Sequence, residues 1–222
     1  MAIKVNIRRL EKTVCEYEAK GIEKNKIVFL GDSSFTRWQN RYDDNVNLED
    51  VIRCRDGSKA VINHGIGGGT SEEMLYYYPR LVRAWEPRAL VVQSYGNDFD
   101  AAYSPDEIME LQSRIFEYAR QDFPGIRMFV CDVRPLLKDV ANMSWKNHGR
   151  LFNQLLVDYC QKHDDVTLLS HAQNPVFFRG EENTGDYSKS RDDLFIADQV
   201  HYNHKGYELY RDFFADALKE LL

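Results

Sequence analysis

Four short stretches of this chain carry residue types that can do chemistry together. They are Gly31-Asp32-Ser33-Ser34, Gly67-Gly68-Gly69, Gly96-Asn97-Asp98 and Asp198-Gln199-Val200-His201. A nucleophilic serine needs a base, and the base needs a group to orient it. Asp198 and His201 are three residues apart, so one turn can hold both side chains together. The acid would fix the imidazole tautomer and leave the other ring nitrogen free to take a hydroxyl proton. Glycine amides and the Asn97 side-chain amide would supply donors for an oxyanion. Each piece alone has a plainer reading. Ser33 or Ser34 can simply cap a helical turn. Asp-x-x-His can be a solvated helix start, Asn97 a turn residue, and the glycines a cradle for phosphate. The conjunction of all four, in this order, favours acyl chemistry.

The elements that must position these residues are legible as apolar runs. Lys26 to Leu30 reads as a buried strand that stops at Gly31, where the chain can turn sharply. Ala60 to Asn63, Ala89 to Tyr95, Ile126 to Cys131 and Val166 to Leu169 read as four more strands. Between them lie helical patterns. Thr70 and Glu73 form a capping box, followed by Met74, Leu75, Tyr78, Leu81, Val82 and Trp85 at helical spacing, with a kink or restart expected at Pro79. Ser104-Pro105-Asp106-Glu107 is a strong helix start. A helix over about 145–161 is expected to bury Leu151, Leu155 and Tyr159. The last helix begins near His204 with Tyr207, Tyr210, Phe214, Ala217 and Leu221 inward. Residues 4–20 suggest a surface helix that packs Val5, Leu10, Val14 and Tyr17. Strands alternating with helices imply a parallel sheet covered on both faces. In such a sheet, ligands gather outside the carboxyl ends of the strands, and three of the four special stretches begin where a strand ends.

Composition narrows the function classes. At 222 residues the chain reads as one domain over 1–222, with an N-terminal helical extension over 1–21. Residues 171–197 show no clear period, and so long a connection reads as a lid or pocket loop. The net charge of -6 is spread among interspersed acids and bases, without the basic stripe of a nucleic-acid binder. No apolar run approaches a membrane span. No uninterrupted apolar core follows Lys4, Arg8, Arg9 and Lys12, so a cytoplasmic protein without a secretory signal is expected. The four cysteines form no Cys-x-x-Cys pair and read as buried thiols in a reducing compartment. The six histidines show no ligand spacing with them, so no metal is expected.

With its flanks included, the sequence resembles the SGNH, or GDSL-type, hydrolases. The four family blocks are visible as Gly31-Asp32-Ser33, the Gly68 turn in Asn63-His64-Gly65-Ile66-Gly67-Gly68, Asn97 in Gly96-Asn97-Asp98, and Asp198-Gln199-Val200-His201. Phe35-Thr36-Arg37-Trp38, Leu194-Phe195-Ile196-Ala197 and Asn203-His204-Lys205-Gly206-Tyr207 look like a branch of small acyl-ester hydrolases. The resemblance implies a three-layer α/β/α fold related to flavodoxin, with a five-stranded parallel sheet of order 2-1-3-4-5. It implies Ser33 as nucleophile, His201 as base and Asp198 as its partner. The implied oxyanion donors are the amides of Ser33 and Gly68 and the side chain of Asn97. No cofactor is implied. The family usually has glycine two residues before the asparagine; here Tyr95 stands there, which bears on the shape of the acyl side of the pocket. The resemblance covers acetyl esters of sugars, lysophospholipids, thioesters and other short acyl esters. Short acyl groups on a carbohydrate or similar polar alcohol are favoured. Tyr76, Tyr77, Tyr78 and Trp38 can stack on a sugar but read better as packing or surface aromatics. The rival is a binding module whose glycine loops hold a phosphate or nucleotide, although the loop lacks the lysine and spacing of a P-loop.

Overall fold

A computed structural model describes residues 3–42, 45–134, 136–138, 141–179 and 190–222. Much of the expected loop at 171–197, namely 180–189, lies outside the described residues. Five parallel strands form one sheet: β1 (Ile27–Gly31), β2 (Val61–Gly65), β3 (Ala89–Gln93), β4 (Arg127–Cys131) and β5 (Val166–Leu169), in the order β2-β1-β3-β4-β5. This is the three-layer α/β/α arrangement expected from the sequence. The helices are α1 (Glu11–Glu18), α2 (Ser33–Thr36), α3 (Leu48–Val51), α4 (Ser71–Leu81), α5 (Gly96–Asp100), α6 (Pro105–Asp122), α7 (Met143–Cys160) and α8 (His204–Leu218).

All residues of β1, β2 and β3 are buried, which is why these segments read as continuous apolar runs. Neighbours in β2 show the two covered faces, because successive strand side chains point to opposite sides. The Asn63 amide donates to the carbonyl of Phe35 just after β1, whereas His64 Nδ1 lies 2.6 Å from the Leu81 carbonyl at the end of α4. On the Asn63 side, Phe29 of β1 packs edge-on against Phe35 and against Phe214 of α8. On the other side α4, α6 and α7 pack one against the next. Both capping boxes form as the spacing implies, Thr70 with Glu73 and Ser104 with Glu107.

The register aligns the strand ends. Gly31 pairs with Gly65 on one side and with Gln93 on the other. The residues that follow β1, β2 and β3 therefore emerge along a single edge of the sheet.

Several local expectations are corrected. Strand β3 stops at Gln93 rather than Tyr95, because Gly96 already starts α5. The helix through Pro79 does not restart there; it runs on to Leu81, since proline removes only one hydrogen bond this close to a helix end. In α7 the buried stripe is Trp145, Gly149, Phe152 and Leu156, spaced for one helical face, and Leu151 points to solvent. In α8, Tyr207, Tyr210 and Phe214 are buried as expected. Leu218 completes the stripe, while Ala217 and Leu221 are only partly buried. The N-terminal helix spans only Glu11–Glu18, with Val14 and Tyr17 buried. The residues before it are held by polar side chains instead: Lys4 pairs with Glu107, and Arg9 with Glu73. Of the cysteines only Cys131 is buried; Cys54 and Cys160 are intermediate and Cys15 is exposed.

Candidate active site

Steric crowding explains the glycine that ends β1. A Cβ on Gly31 would lie 2.4 Å from the Phe35 ring and 2.9 Å from the Gln93 carbonyl. Directly after it, Asp32 caps α2: its carboxylate accepts the Ser34 N–H at 2.8 Å. The cap is thus the aspartate and neither serine. Ser34 is buried, whereas the Ser33 hydroxyl meets His201, with Nε2 2.9 Å from Oγ.

His201 belongs to a tight hairpin in which Phe195 pairs antiparallel with Tyr202. Asp198 organises that turn twice. Its Oδ1 accepts the N–H groups of Val200 and His201, each at 2.9 Å, and its Oδ2 lies 2.6 Å from His201 Nδ1. The proton on Nδ1 is therefore directed at the carboxylate, and Nε2 is left as the acceptor facing Ser33. Burial works to raise the Asp198 carboxyl, but the hydrogen bonds from the His201 ring and the two N–H groups outweigh it and hold it at about 2. Burial lowers His201 below the ordinary imidazole value, and the charges of Arg134 and Arg37 push the same way against the Asp198 contact. These influences favour the neutral imidazole, the form that can accept a proton at Nε2.

The turn after β2 supplies the third piece. Gly68 has φ +74, a left-handed conformation that favours glycine. Its carbonyl accepts from Arg9, whose guanidinium also pairs with the buried Glu73. Asn97, in α5, donates one amide hydrogen to the Gly69 carbonyl at 3.0 Å. Among the described residues, the backbone N–H groups of Ser33 and Gly68 and the second Asn97 amide hydrogen meet no protein acceptor. Beneath them Asp98 is fully buried and ties three elements together: it accepts from the Ser71 N–H at 2.8 Å, from the Ser71 hydroxyl and from the Ser94 hydroxyl. Burial pushes its carboxyl up to about 7 against those hydrogen bonds.

A model of the GDSL-like lipase/acylhydrolase family matches residues 29–209, a span that includes all four special stretches. The chain belongs to this family. It is accordingly a carboxylic ester hydrolase of the GDSL type. Solved structures share its fold at low identity. A GDSL-like lipase from Bacteroides thetaiotaomicron is 18% identical, with 98% of this chain and 100% of that one covered and a TM-score of 0.73. A lipase/acylhydrolase from Enterococcus faecalis is 18% identical over 88% of this chain and 96% of that one, with a TM-score of 0.69. A psychrotrophic esterase from Pseudoalteromonas is 16% identical over 89% and 98%, with a TM-score of 0.63. A comparison with curated proteins finds no match.

In this GDSL-type hydrolase, a cleft of about 660 Å³, its open mouth included, lies beside Ser33 and Asn97. Tyr95, Trp145, Leu136 and Arg134 form part of its wall. The Tyr95 hydroxyl donates to His148 Nδ1 at 2.9 Å, and His148 Nε2 reaches the Tyr103 carbonyl at 2.7 Å, so the Tyr95 ring is fixed in place. Trp38, Tyr77 and Tyr78 are core residues, Tyr76 is on the surface, and none of the four lines the cleft. Arg134 escaped the sequence reading. The signal available was positional: Asp132 to Arg134 follow β4 at the same sheet edge as the three stretches that were singled out. No helix among the described residues is long and apolar enough to cross a membrane.

Proposed function

We propose that this hydrolase cleaves short-chain esters, acetyl among them, of a carbohydrate or other small polar alcohol through an acyl-enzyme. Ser33 Oγ attacks the ester carbonyl while His201 Nε2 takes its proton, and Asp198 holds the imidazole in the required tautomer. The oxyanion sits against the N–H groups of Ser33 and Gly68 and the Asn97 amide. His201 returns its proton to the departing alkoxide. Water, activated by the same imidazole, then adds to the acyl carbon and frees Ser33 and the acid.

The observation that carries this reading is the unbroken chain from Asp198 through His201 to Ser33, with contacts of 2.6 and 2.9 Å. A preference for short acyl groups is supported by the Tyr95 ring, locked by His148 at a place where the family usually has no side chain at all. The Pseudoalteromonas esterase is inhibited by monoethylphosphonate; a phosphonate that esterifies Ser33 fits the same chemistry here.

The test is hydrolysis of p-nitrophenyl acetate and its longer homologues by the native protein and by Ser33→Ala. Rates falling with chain length, and a loss of roughly 10⁴-fold or more in the variant, are expected. Labelling by a fluorophosphonate should disappear in the same variant. Equal rates in the two proteins would remove Ser33 from the mechanism and favour a phosphate- or nucleotide-binding module. Rates rising with chain length would favour a lysophospholipase or thioesterase.

A further inference from the structure

The cleft beside Ser33 contains a buried cation that the acyl chemistry does not require. Arg134 follows β4 and is only 7% exposed, yet it lines the cleft. Removing a guanidinium from water is costly unless something compensates. The compensation from the protein is partial. One N–H donates to the Val200 carbonyl at 2.6 Å, and the group stands over the Tyr202 ring, 4.6 Å from its centre. Tyr202 is also a hydrogen-bond partner of the group, and among the described residues these contacts engage only part of the five-donor fork a guanidinium carries. No carboxylate among the described residues forms an ion pair with Arg134.

The other charged groups of the cleft do not fill this role. Asp132 is committed to the Ser170 hydroxyl and to the N–H groups of His171 and Ala172. The Asp32 carboxylate caps Ser34 and acts on Arg134 only through space. Asp100 is exposed, and so is Lys138, which adds a second positive charge to the cleft.

We propose that Arg134 determines specificity by binding an anionic group on the substrate, so that the natural ester carries a carboxylate- or phosphate-type charge within a few bonds of the scissile carbonyl. The proposal rests on Ser33 being the nucleophile. An arginine suits the task because its planar fork pairs with two oxygens of an anion at once. The pairing completes only when the substrate arrives, so the anion replaces lost water and fixes the ester beside Ser33.

The experiment compares isosteric pairs that differ in charge. O-acetyl-lactate against O-acetyl-lactamide places the charge on the alcohol side. Methyl hemisuccinate against methyl succinamate places it on the acyl side. In the native protein the anionic member of at least one pair should be favoured about 10- to 100-fold in kcat/KM, the range for a charged hydrogen bond in a buried site. Arg134→Gln should collapse that ratio to about one, and Arg134→Lys should restore part of it. Thermal melting of both variants checks that they fold, and the lysine variant keeps the proposal falsifiable if the glutamine variant does not. A native ratio at or below one for both pairs overturns the proposal. So does a ratio that survives in Arg134→Gln, or an equal loss on both members together with a displaced acid limb of the pH profile, which would make Arg134 act through His201 alone. Fluorophosphonate labelling separates the two levels: a labelled Ser33 without charge preference sinks only this inference, and an unlabelled Ser33 sinks the reading beneath it.

Discussion

The two halves of the site are built by different means. The Ser33 half grows from the middle of the sheet. Gly31 and Gly65 face each other across β1 and β2, and neither has room for a side chain: a Cβ on Gly65 would sit 2.2 Å from the Thr36 nitrogen. The His201 half is a hairpin of loop residues near the surface. It rests on a few directed hydrogen bonds: Ile196 N–H to the His201 carbonyl, the N–H groups of Leu137 and Lys138 to the Gln199 carbonyl, and Arg134 to the Val200 carbonyl. Gln199 adopts φ +61, where a residue with a side chain pays a local strain. One half is held by packing that cannot yield, the other by polar contacts that can be removed one at a time. Damage to the first should therefore appear as lost stability, and damage to the second as lost rate in a folded protein.

After the loss at Ser33 itself, the largest rate effect is expected at Asp198, smaller than at the nucleophile because its role is orientation. In Asp198→Asn the new amide faces His201 Nδ1 with a donor and favours the wrong tautomer, which turns an N–H toward Ser33. A fall of about 10⁴-fold in kcat, with melting temperature little changed, is expected. The pH profile adds a sign. The Asp198 contact raises the His201 pKa, against burial and the charges of Arg134 and Arg37 that lower it. Removing the carboxylate lets the pKa fall further, so the acid limb of the residual activity should move to lower pH. A limb that moves to higher pH, or a rate within tenfold of native, would mean that the hairpin does not orient the base through this contact.

Gly65→Ala tests the packed half. The added methyl meets backbone atoms of Phe35 and Thr36, not a flexible side-chain tip, so the strand and α2 must separate. A loss of about 3 kcal/mol is expected, at the upper end of overpacking costs, read as a lower midpoint in urea. An unchanged midpoint would show that the sheet edge yields easily, and the contrast between the halves would fail.

The same contrast explains what was legible in the sequence. The four stretches stood out because their roles depend on residues adjacent in the chain: Asp198 and His201 share one turn, and Gly31, Asp32 and Ser33 are consecutive. Strand order followed from the family resemblance and the apolar runs. Features that depend on contacts between distant segments were not legible. The α7 face was misjudged because the pattern offers Leu151 and Leu155 as readily as Phe152 and Leu156, and only the neighbouring layer selects between them. Arg134 carries no local motif; its environment is made by Val200 and Tyr202, more than sixty residues away in sequence. The polar attachment of residues 3–10 was likewise invisible, since Lys4 and Arg9 look like ordinary surface charges until Glu107 and Glu73 are placed beside them.

That attachment joins the two kinds of construction, and it yields the smallest expected effect. Arg9 arrives from the N-terminal segment and holds the Gly68 carbonyl, so it acts on the turn whose N–H we assign to the oxyanion. It is partly exposed, while its partner Glu73 is buried and also accepts from the Thr70 N–H and hydroxyl. In Arg9→Ala the capping box remains and α4 should still form. The Gly68 peptide plane, however, loses the contact that fixes its rotation. If Arg9 positions that N–H, kcat should fall about tenfold while KM changes little, because a misplaced donor is felt when charge develops on the oxygen and not when the ester binds. Arg9→Lys, which keeps the charge but not the fork, should recover only part of the loss. A purely structural role predicts the opposite pattern: a lower melting temperature with kcat per folded molecule unchanged. Measuring both quantities on the same preparations decides whether the N-terminal segment is a strap on the fold or a part of the site.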